Sequence, residues 1–165
     1  CNMVGIKNEG NYVEETFRAF ELMHIATFTM QKKLMPTIMT LKNDGTVAIV
    51  SYDASIKTTT YRKINEIARE IRNGAPIVAV FHVCEMLLYN DPEAYNQDYS
   101  YRSQGEHTDL LSFNMVTKGG AANFCINSEA LLDGKEDCLF PTLTKVDTAV
   151  SFSFLNPLVE AFESV

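Results

Sequence analysis

Residues able to do chemistry fall on either side of one long polar segment. His82 and Cys84 alternate within the apolar run from Ile77 to Leu88, so in an extended strand they share a face and Glu85 takes the other. Beyond the polar segment, Glu106-His107-Thr108-Asp109 opens the next apolar run. If the two runs pair as strands, His82 or Cys84 approaches His107 or Asp109. Imidazole, thiolate and carboxylate are ligands for zinc and other transition metals, so the candidate metal ligands are His82, Cys84, His107 and Asp109. The same groups can make a thiol nucleophile with a histidine base, Cys84 with His82 or His107, because a thiol needs a partner to favour its thiolate. Against both stands the setting: a His and a Cys inside an apolar run are commonly packed core positions. HxC and HxD separated by a long loop also match no metal signature. The expectation is no metal and no cofactor. His24, on the apolar side of the first helical segment, reads as a hydrogen-bonded core residue.

The polar segment, residues 89–107, is a second candidate. It carries Tyr89, Tyr95, Tyr99, Tyr101 and Arg102 among Asn, Asp, Gln and Ser. Tyrosine offers a large amphipathic contact at small entropic cost, which is why binding loops use it. A loop this long in one domain is usually functional or disordered. The functional reading is a recognition loop for a protein or small molecule; the architectural reading has its tyrosines lying back on the domain. Single-stranded nucleic acid also stacks on aromatic platforms, but in a positive groove, and this segment has one Arg beside several acids.

The elements that must hold these residues follow from periodicity. Val13, Phe17, Phe20, His24 and Phe28 recur at three or four, which predicts a helix from about Tyr12 to Leu34. Asn11 and Glu14 stand in a capping-box arrangement before it, and Pro36 forbids its continuation. Thr37–Leu41 and Val47–Val50 flank Asn43-Asp44-Gly45, a hairpin with a glycine for the positive φ of a tight turn. A second helix is expected from about Thr58 to Asn73, stopped by Gly74 and Pro76. Ile77–Leu88 then reads as a central strand buried on both faces. Leu110–Thr117 and Ala121–Asn127 form a second hairpin around Gly119-Gly120. Residues 128–141 suit a surface excursion, Thr144–Leu155 a last strand, and Pro157 the first turn of a short terminal helix. The fold class is α+β: an antiparallel sheet of five to six strands with the two main helices on one face, in the order α-β-β-α-β-β-β-β-α.

A chain of 165 residues with 46% hydrophobic residues can close one core without staples. Residues 1–165 therefore read as one domain, with 1–11 a flexible start. The net charge of −7 and the scattered 14 Lys and Arg argue against a nucleic-acid footprint. No apolar run reaches the length of a membrane span. Cys1, Cys84, Cys125 and Cys138 form no CxxC pair, and a reducing, cytoplasmic setting is expected. Residue 1 is Cys; processing is the favoured reading, with a lipid anchor or an N-terminal nucleophile at Cys1 as alternatives. Glycine-rich phosphate loops, HExxH, GxSxG and EF-hand patterns are all missing. The favoured function is a non-enzymatic binding or protein-interaction module, with a homodimer as one form of it, whose partner is a protein or a second copy rather than a small molecule. The alternative is a small metal- or thiol-dependent hydrolase built around the 89–107 loop.

Overall fold

The computed structural model describes residues 9–53, 57–91, 106–146 and 153–165. In chain order they form α1 (Glu9–Gln31), β1 (Thr37–Lys42), β2 (Val47–Ser51), α2 (Lys57–Arg72), β3 (Ile77–Tyr89), β4 (His107–Thr117), β5 (Gly120–Asn127), α3 (Ser128–Leu132), β6 (Thr144–Val146), a 3₁₀ turn (Ser153–Leu155) and α4 (Asn156–Glu163). The fold is α+β. The six strands make one sheet in the order β2-β1-β3-β4-β5-β6, and every neighbouring pair is antiparallel.

Local chemistry accounts for the element ends. Gly45 sits at φ 88° and donates its N–H to the Lys42 carbonyl at 3.0 Å, closing the β1–β2 turn. Gly74, at φ 91°, ends α2, where the Ala75 N–H reaches back to the Glu70 carbonyl at 3.0 Å. The first helix departs from expectation at both ends. It is already helical at Glu9, so Asn11 lies within the helix and not before it. It ends at Gln31, with Lys32 in the left-handed region at φ 61°. Of the expected last strand, Thr144–Val146 is strand and Ser153–Leu155 is instead 3₁₀, while residues 147–152 lie outside the described residues. The surface excursion carries a short helix, α3, capped by the Asn127 side chain, which accepts from the Ala130 N–H at 3.1 Å.

The two main helices do not share a face of the sheet. Side chains alternate along a strand, and here the alternation separates two cores. Met39, Leu41, Phe81, Val83, Leu111 and Phe113 pack with Phe17, Phe20, Ile25 and Phe28 of α1. Ile38, Val80 and Val116 pack on the other side with Ile64, Ala68 and Ile71 of α2 and with Leu158 and Phe162 of α4. The reason lies in the central strand: an apolar run with no polar alternation must be covered on both sides, so one helix layer is not enough. A register shift next to Leu41 leaves Val78 without a partner on β1, and Val78 and Ala79, adjacent in sequence, thereby both meet the α1 core.

Candidate functional site

β3 and β4 do pair, but the pairing does not assemble His82, Cys84, His107 and Asp109. His82 lies opposite Asn114 and Cys84 opposite Ser112, whereas His107 lies opposite Tyr89 and Asp109 opposite Leu87. At about 3.4 Å per residue, His107 stands roughly 24 Å along the ladder from the His82 position and Asp109 roughly 17 Å. The faces differ as well. His82 and Cys84 share the face of Val80 and α2, while the odd-numbered β4 residues belong to the α1 face. Among the described residues no three His, Cys, Asp or Glu side chains converge to hold a metal ion. His107 instead meets Asp109 on its own strand, Nε2 to Oδ1 at 3.2 Å, and sets its ring edge-on to Tyr89 at 5.5 Å.

His82 is a core residue with a defined set of neighbours. It is 2% exposed. Its Nε2 lies 2.7 Å from Tyr52 Oη and its Nδ1 3.5 Å from Asn114 Nδ2, which in turn lies 3.5 Å from Ser112 Oγ. The Phe154 ring meets the imidazole edge-on at 5.2 Å. Burial holds the His82 pKa down to about 4. The ring is therefore neutral near pH 7; with Nδ1 accepting from Asn114, Nε2–H donates to Tyr52. Burial, with the charge of Glu85 adding to it, pushes the Cys84 thiol up to about 12. That environment opposes a thiolate, which nucleophilic attack and metal ligation both require. Across β3, β4 and β5 the polar residues line up as His82–Asn114–Asn123 and Cys84–Ser112–Cys125. The amide oxygens of Asn114 and Asn123 are buried and have no hydrogen-bond partner among the described residues.

This network predicts its own mutational response. Tyr52→Phe strips the imidazole of its 2.7 Å partner and leaves a buried ring nitrogen unpaired. The expected cost is about 1–3 kcal/mol, measurable by denaturant titration; an unchanged midpoint would show that the contact contributes nothing.

The 89–107 segment is the connection of a long hairpin. Its stems, β3 and β4, pair up to Tyr89 and His107, and the Asn90 N–H donates to the Glu106 carbonyl at 3.1 Å. Tyr89 is buried. Tyr95, Tyr99, Tyr101 and Arg102 lie outside the described residues, as does Cys1. His24 packs on Phe20, ring centroids 4.3 Å apart, and its Nδ1 donates to the Phe20 carbonyl at 2.8 Å.

Sequence reasoning passed over one surface that the fold exposes. Among the described residues β2 forms an edge of the sheet and pairs with β1 alone. All five of its residues are exposed, including Val47 (44%), Ile49 (52%) and Val50. Unpaired edges are normally blunted by charge, proline or shortness. At the opposite edge of the described sheet, β6 obeys that rule with Lys145. Val47-Ala48-Ile49-Val50-Ser51 has none of these devices. The signal was present in the uncharged, β-branched run, but its place in the sheet depends on which strand takes the other side of β1. No helix among the described residues is long and apolar enough to cross a membrane. Comparison with known proteins supplies no relative: no family model matches the chain, and neither a curated protein nor a solved structure does.

Proposed function

We propose that this chain is a non-enzymatic interaction module that self-associates by pairing β2 with the β2 of a second copy. The supporting observation is the uncharged edge strand, exposed at every residue, whose outward backbone groups are a template for another strand. A second copy fits because the strand is self-complementary. Antiparallel pairing about Ile49 sets Ile49 against its own mate, Ala48 against Val50, and Val47 against Ser51. A twofold axis then buries the same apolar patch on both chains, as an isologous dimer requires. The dispersal of His82, Cys84, His107 and Asp109 and the protonated state of the Cys84 thiol favour this reading over the hydrolase.

Sedimentation velocity over a concentration series tests it. The expected result is a dimer that Ile49→Lys converts to monomer, because two lysines then face each other across the axis. At so exposed a position the fold should lose no more than about 0.5 kcal/mol. A chain that stays monomeric at the highest attainable concentration, or a dimer untouched by Ile49→Lys, would refute it.

A further inference from the structure

One cleft lies away from β2 and is not used by strand pairing. Between the N-terminal half of α1 and strands β4 and β5 is a cleft of about 560 Å³. Glu14, Glu15, Arg18 and Glu21 line it from the helix, and Phe17, Met115 and Phe124 form much of the apolar wall. Glu21 is the unusual member. It sits on the buried stripe of the helix, one turn from Phe17 and one from Ile25, and is only 5% exposed. Its Oε2 is buried with no hydrogen-bond partner among the described residues. Arg18, the one cation in the lining, is exposed and forms no ion pair with any of the three glutamates among the described residues. A carboxylate oxygen held in a wall of phenylalanines without a donor is a costly arrangement for the free chain. It becomes a favourable one when a cation brings donors to it.

We infer that this cleft binds an alkyl diamine in its diammonium form, one ammonium on Glu21 and the other toward Glu14 and Glu15, with the methylene chain between them on Phe17, Met115 and Phe124. Three observations select that chemistry. The carboxylates are spread along the helix: Glu14 and Glu21 are seven residues apart, about 10 Å at 1.5 Å per residue, which suits two charges on a flexible spacer better than one compact metal ion. The donor set is sparse where a hard divalent cation needs six or more oxygens around one point. The wall beside Glu21 is aromatic, with the Phe17 and Phe124 rings 5.7 Å apart and tilted by 49°. Such faces attract alkylammonium groups and accept methylenes.

Isothermal titration of the full chain with 1,4-diaminobutane, 1-aminobutane and magnesium chloride, in low salt at about pH 8, where Glu21 is ionised and the amines are still charged, decides the matter. Saturable 1:1 binding of the diamine, stronger than that of the monoamine, is expected. Glu21→Gln should weaken it about ten- to a hundredfold, the loss expected for a charge-assisted hydrogen bond, while Glu70→Gln on α2 leaves it unchanged. Phe124→Leu, which keeps the wall apolar but removes the ring, should weaken it less. No saturable binding would overturn the inference. So would affinity that magnesium matches, or that Glu21→Gln and Glu70→Gln reduce alike, since either marks diffuse attraction to an acidic surface. Every variant is compared by circular dichroism with the parent chain, and Phe124→Leu supplies an independent readout if Glu21→Gln alters the helix.

Discussion

Glu21→Gln is expected to stabilise the folded chain by about 3 kcal/mol above pH 7 and to make little difference below pH 4.5. Burial raises the Glu21 pKa from 4.5 to about 7, with Arg18 offsetting a part of the rise. The folded state therefore holds a proton that the unfolded state has released over that whole interval. Stability tied to this group is fully present below pH 4.5 and is lost as pH rises through about 7. Glutamine keeps the shape and removes the ionisation. The charged groups facing Glu21 are Glu14, Glu15 and Arg18, all on α1; the residues that line the cleft from β4, β5 and the chain before β6 are Met115, Phe124 and Leu143, which carry no charge. Denaturant titrations of both proteins across pH 4 to 8 give the difference directly, and a difference independent of pH would sink the idea.

The same experiment exposes His82. Its pKa is depressed from 6.5 to about 4 by burial, so its contribution is fully present above pH 6.5 and is lost as pH falls toward 4, about 3 kcal/mol in all. The groups around it, Tyr52, Asn114, Ser112 and Cys84, carry no charge in this range. Between about pH 4.5 and 6.5 the Glu21 and His82 contributions run in opposite directions and nearly cancel. In Glu21→Gln the opposing contribution is gone, and His24, whose pKa burial also lowers, acts in the same direction as His82, so stability should climb with pH across that window.

The second large effect is Phe81→Ala, for which a loss of about 3–5 kcal/mol is expected. Phe81 lies at the centre of β3, fully buried, with Phe17 at 5.2 Å and Phe20 at 5.8 Å. It is the point where α1 bears on the sheet, and truncation opens a cavity between two layers that regular structure on both sides keeps from collapsing. Against a usual total of 5–15 kcal/mol, that leaves a marginal fold. Phe140, 77% exposed, is the control: Phe140→Ala should stay within about 0.5 kcal/mol. Guanidinium unfolding reads both, and equal midpoints would contradict the layered core.

What could be read from the chain was what short windows encode. Asn43-Asp44-Gly45 announced its turn because only glycine takes φ 88° without strain. The apolar run over β3 announced a strand covered on both faces, and that reading already conflicted with placing both helices on one side. Pairing is different in kind. Period-2 alternation put His82 and Cys84 on one face, but nothing local says that His82 meets Asn114 instead of Asp109, because strand register is a long-range property. Tyr52 became a partner of His82 only through the β1–β3 neighbourhood. Glu21 was legible and overlooked: a glutamate four residues after Phe17 and four before Ile25 stands on the buried stripe of any helix drawn through them.

The strand order has a kinetic consequence. Among the described residues, four of the five pairings join strands that follow one another in the chain; β1–β3 alone does not. It must close a loop that contains β2 and all of α2 before any ladder bond forms, and closure entropy is lost ahead of the contacts that compensate it. The molecule thus assembles from two sequence-local pieces, the β1–β2 hairpin and the β3-to-β6 meander, and the seam where Ile38 meets His82 and Thr40 meets Val80 is where folding speed is decided.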